Sequence, residues 1–475
     1  MTSRQKIAFK TFGTFAAAVL ATLCVHTSAQ TVKMPKDPGV RSGTVAAGAP
    51  LKGLTADETA FFGDGLVRFS QIEAVTGGKN NGLGPRFNSN QCLSCHSQPD
   101  AGGSSPAQNP SIRVATLNGA KNVVPWFITQ NGPVREVRFK RNANGSNDGG
   151  VHDLFVITGR SDAWGCNIAQ PDFLPAGNPH TGQGGNPNII FRIPTPVFGA
   201  GLIEAIPDSA ILANIKVDAY LKTEMGISGH PNAHLSGNAN LSANDGTITR
   251  FGWKAQNKSL LMFASEAYNV EMGVTNQLFP QERDETPGCQ FNATPEDTLN
   301  FTTTSSSASN PNTAVLSDIE ALANFMRMLA PPTPAPDTPS TVNGRALFAK
   351  IGCVHCHTPS FTTGKMIASG SSTTPSAALS NQTVNLFSDL LVHHMGRDLA
   401  DGITQGAAGP DEFRTAPLWG VGQRIFFLHD GRTSDLVEAI EAHKSRESEA
   451  NKVIDHFNKL HAREQQEVIN FLRSL

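Results

Sequence analysis

The sequence predicts a mainly α fold of two small helical units, the N-terminal one enlarged by loop-rich and short β insertions. Three observations carry this expectation. Two short cysteine motifs, Cys92-Leu93-Ser94-Cys95-His96 and Cys353-Val354-His355-Cys356-His357, lie far apart in the chain. A segment of helical periodicity precedes each motif, and another closes the chain. Between them runs a long Gly- and Asn-rich stretch with only brief β-like runs.

Each C-x-x-C-H motif has the spacing of a c-type haem attachment site. Cys92 with Cys95, and Cys353 with Cys356, can each add to the two vinyl groups of one haem. The adjoining His96 or His357 then supplies a nitrogen to iron. The other users of paired cysteines are zinc and a thiol–disulfide couple. Zinc needs two pairs to converge from opposite ends of the chain, which leaves both motif histidines without a purpose.

The chain has 475 residues, enough for two or three domains with full cores. A formal net charge of −2 offers no basic surplus for nucleic acid, and no acidic tail is present. Only 16% of residues are charged while Gly 44 and Pro 30 are abundant, which suggests a loop-rich exported protein. Aromatic residues are mostly Phe; only Tyr220 and Tyr268 are available as tyrosine ligands.

The first 29 residues read as a signal peptide. Arg4, Lys6 and Lys10 form a basic start, an apolar run follows, and Thr27-Ser28-Ala29 supplies small residues for cleavage before Gln30. The apolar run is short for a membrane span, and no later stretch reaches that length, although a retained anchor is the alternative. A periplasmic location is therefore expected. Cys24 leaves with the signal. Cys166 and Cys289 remain beside the four motif cysteines, and in an oxidising compartment they form a disulfide or stay as two separately buried thiols.

Taken in order, residues 30–50 form an extended arm. Thr55 or Asp57 caps a helix carrying Phe61, Phe62, Leu66 and Phe69. A loop over 77–90 leads to the first motif. Residues 134–139 look β-like, and 182–186 form a Gly-rich loop. The apolar stretch 189–207 holds one acid, Glu204, before a helix over 208–220. A further helix covers 259–272. The 302–312 stretch is Ser-, Thr- and Asn-rich. An amphipathic helix over 316–329 then ends in the Pro-rich linker 331–336. This places an N-terminal haem domain with a large insertion over 30–332 and a C-terminal cytochrome c domain over 340–475. The second unit has a helix over 344–351 before its motif and one over 464–475 at its end.

Segments 82–96, 198–208, 250–254, 390–396, 415–420 and 427–432 resemble the dihaem oxidoreductase family of peroxidase-like and thiol-oxidoreductase proteins. More distantly the chain looks like bacterial dihaem cytochrome c peroxidases. The resemblance implies two cytochrome-c-like haem domains. One haem meets peroxide or oxygen; the other relays electrons from a small cytochrome or cupredoxin. It also suggests a calcium ion between domains.

In the peroxidases the electron-transfer haem takes a Met just before His-Asp-Gly. Here Leu428 precedes His429-Asp430-Gly431, and leucine cannot bind iron. The candidate distal ligands of the second haem are therefore His443 first, then His429, His394, His393 and Met395. The first motif is followed by residues 97–124 without His or Met, so an open distal face is expected unless His152 or His180 folds over it. Splitting a peroxide O–O bond requires a proton-moving group. Glu204 is the first candidate for this catalytic role and Glu136 the second. Trp253 is the expected electron relay, with Trp126, Trp164 and Trp419 as alternatives. Arg432 and Arg414 are candidates to pair with haem propionates. The expected activity is reduction of hydrogen peroxide. The rivals are a pure electron carrier with both irons fully ligated, and an oxygenase or oxidase acting on an organic or protein substrate.

Overall fold

The computed structural model describes residues 34–78, 80–173, 187–233, 248–299, 316–365, 367 and 375–475. The expected signal peptide, the 182–186 loop, His180 and the 302–312 stretch lie outside them. Residues Pro35–Leu475 form one compact unit. Among the described residues there are twelve α-helices and four antiparallel sheets of two or three short strands. Helices are thus the main regular structure among the described residues, with a few small sheets and much irregular chain between them. No helix among the described residues is long and apolar enough to cross a membrane.

Two helix crossings organise the molecule. Helix Ala56–Phe69 starts at Thr55, whose hydroxyl accepts from Glu58 N while the Glu58 carboxylate accepts from Thr55 N. It crosses Asp318–Met328, which is capped in the same way by Ser317 and Glu320. A Cβ on Gly65 would stand 2.3 Å from Ala321 O, so the two backbones can touch only at a glycine. Arg68 crosses to Asp318 at 2.5 Å and ties the pair together.

The second crossing joins Pro339–Lys350 to Ala462–Ser474. Here a Cβ on Gly344 would lie 1.9 Å from Glu467 O. One turn after each crossing glycine stands a phenylalanine packed on the motif histidine. Phe69 lies 6.1 Å from His96 and Phe348 lies 6.1 Å from His357, between ring centroids. The unit Gly-x-x-x-Phe plus motif His occurs twice.

Element boundaries moved for local reasons. The helix before the second motif begins at Pro339 rather than Gly344, because Thr338 caps it and proline suits the first helical position. The helix expected over 208–220 is two helices, Asp208–Ile215 and Ala219–Met225. Asp218 stands between them at φ 52, a left-handed conformation that a short polar side chain tolerates and a continuous helix does not.

The larger apolar core gathers Phe69, Phe87, Phe155 and Phe325 with Leu386 and Leu390 from beyond the Pro-rich stretch. A second core packs Phe348, Phe387, Phe427, Phe457 and Phe471 around the C-terminal motif. The Pro-rich stretch is held in place: Thr333 N donates to Ala46 O, and Ala335 N to Ser474 O.

Cys166 and Cys289 are bonded, at S–S 2.08 Å, across a separation of 123 residues. Closing so long a loop restricts the unfolded chain strongly. Replacing both with alanine is expected to lower stability by about 2–5 kcal/mol, read from guanidinium unfolding of preparations with equal haem content.

Glu73, Glu296 and Asp297 form a buried acidic group with Asp318. Burial first, and the neighbouring carboxylates second, push them up to about 8, 8 and 7. The folded protein therefore holds protons that the unfolded chain releases above about pH 4. Stability from these groups is full at low pH and is lost as pH rises towards 8. Each net proton changes the unfolding free energy by about 1.4 kcal/mol per pH unit. Thermal scans between pH 6 and 9 should show a melting temperature that falls with pH.

Candidate functional site

Cys353, Cys356 and His357 open into a cavity with about 1480 Å³ of empty volume, part of it open to solvent. His357 Nδ1 stands 2.9 Å from Phe387 O. A carbonyl only accepts, so Nδ1 carries the proton and Nε2 keeps its lone pair. Burial pushes the imidazole down to about 4, so it is neutral at pH 7. His443 lines the same cavity, with Nδ1 2.8 Å from Ala439 O. Its Nε2 is therefore also the free nitrogen.

Two buried guanidiniums line this cavity, Arg414 and Arg424, both pushed down to about 10 chiefly by burial. Among the described residues Arg424 Nε and Nη2 have no hydrogen-bond partner. A buried cation with unpaired donors calls for an anion. Two thiols, an imidazole with a free Nε2, apolar walls and unpaired guanidiniums form a donor set that fits a haem and its propionates.

Cys95 and His96 line a second cavity, of about 820 Å³ of empty volume. His96 Nδ1 faces Gly103 O at 3.0 Å, and burial pushes the ring down to about 4 against backbone hydrogen bonds to Gly103 and Thr195. Among the described residues lining this cavity there is no Met, Tyr or second His. Burial pushes Cys92, Cys95 and Cys353 up to about 12, 11 and 12. Such groups are thiols, the opposite of the thiolates that a redox dithiol needs.

The same cavity holds a carboxyl pair. Glu136 stands on strand Glu136–Phe139 opposite Arg192 in the three-stranded sheet. Glu271 comes from helix Leu260–Met272. Burial, then the charge on Glu136, pushes Glu271 up to about 8. Burial acts on Glu136 too, but the Arg138 and Arg192 guanidiniums outweigh it and hold that carboxyl below the usual range. The Glu271 Oε2 accepts from Asn88 Nδ2 at 2.8 Å. One neutral acid and one carboxylate thus face the space beside His96, a pairing suited to moving a proton between two oxygens.

Trp253 lines both cavities and the smaller space between them, which Trp419 also borders. Its Nε1 donates to Ile193 O at 2.9 Å, and the Arg424 guanidinium lies 5.5 Å from the ring centroid. The next residue, Lys254, is fully buried against Asp401 at 3.1 Å, and Arg192 meets the same carboxylate at 2.7 Å. This buried trio pins Trp253 between the two cavities.

Several expected site residues are placed elsewhere. Glu204 borders neither cavity. Its Oε2 pairs with Arg327 Nε at 2.7 Å and its Oε1 accepts from Leu260 N at 2.8 Å, so it anchors a helix N-terminus. The apolar residues around it in sequence, Ile203 and Ile206, face the core instead. His393 is wedged between Asp389 at 3.0 Å and Glu449 at 2.7 Å, through different nitrogens. Both ring nitrogens are engaged by carboxylates, and nearby anionic groups raise its pKa well above the ordinary value despite burial. His394 is half exposed, with nitrogens on Asp411 and Glu412, and lies outside the cavity. His393, His429 and Met395 do line it, His429 stacked on Phe413 at 4.3 Å. His152 is held by Asp148 at 2.8 Å. Trp126 and Trp164 are exposed, and Arg432 pairs with Asp430 near the surface. Glu271 and Arg424 were not anticipated. Nothing in their local sequence singles them out.

The chain matches, over residues 186–475, the family described as "Di-haem oxidoreductase, putative peroxidase". No curated protein matches it. Among solved structures, the diheme peroxidase BthA from Burkholderia thailandensis is 15% identical, covering 48% of this chain and 65% of that one, with a TM-score of 0.28. A Kuenenia stuttgartiensis hydrazine synthase chain is 18% identical over 40% of this chain and 59% of that one, TM-score 0.21. A MauG-like protein associated with microbial copper homeostasis is 19% identical over 35% and 54%, TM-score 0.23.

Proposed function

Because this chain belongs to the di-haem oxidoreductase family, and is therefore an oxidoreductase, we propose that it reduces hydrogen peroxide in the periplasm with two c-type haems. When bound, the two haems supply the redox chemistry that converts one peroxide, two protons and two electrons into two waters. The carrying observation is the asymmetry of the two cavities. The one at His96 holds the Glu136–Glu271 pair and no second iron ligand among its described lining, whereas the one at His357 holds His443 with a free Nε2.

The chain's own residues divide the work accordingly. Cys92, Cys95, Cys353 and Cys356 would attach the two groups, and His96 and His357 would each give a nitrogen to iron. Glu271 delivers a proton to the departing peroxide oxygen and Glu136 accepts one from the other. Trp253 offers an aromatic path between the sites, and Arg424 with Arg414 balances propionate charge. A small cytochrome or cupredoxin serves as electron donor at the C-terminal unit. The repeated Gly65/Phe69/His96 and Gly344/Phe348/His357 arrangement supports two cytochrome-c-like units, over 30–332 and 340–475.

The test is electron paramagnetic resonance of the oxidised, haem-loaded protein before and after peroxide. One high-spin and one low-spin ferric signal, with the high-spin signal lost on adding peroxide, is the expected result. Two low-spin signals indifferent to peroxide, also after partial reduction, would overturn it in favour of an electron carrier. His443→Ala should turn the low-spin signal high-spin without loss of either haem, checked by the same spectra and by intact mass.

A further inference from the structure

One helix pair is built inside out. Helices Asp208–Ile215 and Ala219–Met225, with the three residues between them, carry four large apolar side chains that are exposed: Leu212, Val217, Tyr220 and Leu221, each between 45% and 72%. Lys222 in the same stretch is buried, its Nζ donating to Asn214 O at 2.8 Å. Ordinary surface helices do the reverse, with charge outward and apolar residues inward. Elsewhere among the described residues such exposed side chains are scattered, as at Ile72, Val123 and Trp164. Single exposed apolar residues mean little, but a cluster marks a contact site.

The inner side of this helix pair grips the second motif. Met225 packs on Gly352, where a Cβ would stand 2.6 Å from its Cε, and Asn214 Nδ2 donates to Thr358 Oγ1 at 2.9 Å. Lys452 Nζ reaches across to Glu224 O. Lys216, Lys350 and Lys452 are exposed around the apolar residues, and Lys222 lies beneath them. Asp208 is paired with Arg250, and Asp455 with Lys444. Four lysines therefore face two carboxylates, Asp218 and Glu224, and the rim is positive.

We propose, on the two-haem reading above, that this helix pair is the docking surface for the electron donor, a small soluble one-electron carrier whose contact face is apolar with an acidic rim. Tyr220 and Leu221 form the centre of the contact, and the lysines orient the partner. Four side chains offer on the order of a few hundred Å². A stable dimer of this chain would need about 1,200–2,000 Å² of total buried surface, so the patch suits a carrier that binds, delivers and leaves rather than a second copy. A partner seated there lies one helix layer, about 10 Å, from the second motif.

The test uses the full-length protein with both haems confirmed by intact mass. A small acidic c-type cytochrome, oxidised, is titrated into the oxidised protein by calorimetry, so no electron moves and no peroxide is present. Binding that weakens with added salt is expected, loosened about 5- to 30-fold by Tyr220→Ser/Leu221→Ser. Lys216→Glu/Lys350→Glu should flatten the salt dependence. In stopped flow it should also slow reduction of the protein by the ferrous cytochrome about 10-fold or more, with reduction by dithionite unchanged. No binding by the wild-type chain, equal binding by the serine variant, or tighter binding of a small basic cytochrome overturns the proposal. So does a wild-type dimer in sedimentation that the serine variant splits, since a second copy then covers the patch. None of these readouts involves peroxide, so failure here is separable from failure of the peroxidase reading.

Discussion

Replacing Glu271 with glutamine should lower peroxide turnover by about 100- to 10,000-fold, with both haems still attached. The amide keeps the size and can still meet Asn88, but it has no proton to give. Burial beside Glu136 is what keeps that proton in place at neutral pH, since it pushes the Glu271 carboxyl up to about 8. The active form is the protonated one, so wild-type turnover should hold below this value and fall as pH rises through it. Steady-state rates from pH 6 to 9 check the sign; a rate that rises through pH 8 would exclude Glu271 as the acid. Glu204→Gln is the informative comparison. It disturbs the Arg327 pair and the start of helix Leu260–Met272, so it should cost stability while leaving turnover per folded, haem-loaded molecule within a few-fold.

Asp401→Ala should be the most destabilising single change, by about 3–5 kcal/mol. Asp401 is buried, and it is the shared counter-ion of Arg192 and Lys254, whose side chains are 3% and 0% exposed. Burial alone would raise its pKa, but the two cations outweigh burial and hold it below the usual carboxylate range. Removing it leaves two buried cations facing each other. Lys254, pushed down to about 8 mainly by burial, relieves part of this by losing its proton. The variant should therefore recover some stability as pH rises towards 9, against the trend of the wild type. Urea unfolding at pH 7 and 9 measures both effects. Because Lys254 follows Trp253, the same variant should also slow electron transfer between the two sites.

What could be read from the chain alone was local. The two C-x-x-C-H motifs are complete within five residues. The caps at Thr55 and Ser317 close through hydrogen bonds to a residue three positions on. The amphipathic helix near 316–329 declares itself by its period, and its observed bounds are Asp318–Met328. Even the break at Asp218 was beyond this reading, because a pattern of apolar residues does not register one left-handed residue.

The site itself was decided by contacts between distant segments. Glu204 looked solitary in sequence, yet Arg327 meets it from 123 residues away. Glu136 was only the second candidate by sequence and Glu271 none at all; they become an acid–base pair only when a strand and a helix bury them together beside two arginines. His393 and His394 are adjacent in sequence and end in different surroundings, one sealed between two carboxylates and one at the surface, because neighbouring strand residues face opposite ways. Which groups attach a cofactor was legible in the sequence, since attachment needs only residue type and spacing. Which groups carry protons, charge and electrons around it depends on burial and on neighbours far along the chain, and only the tertiary structure supplies those.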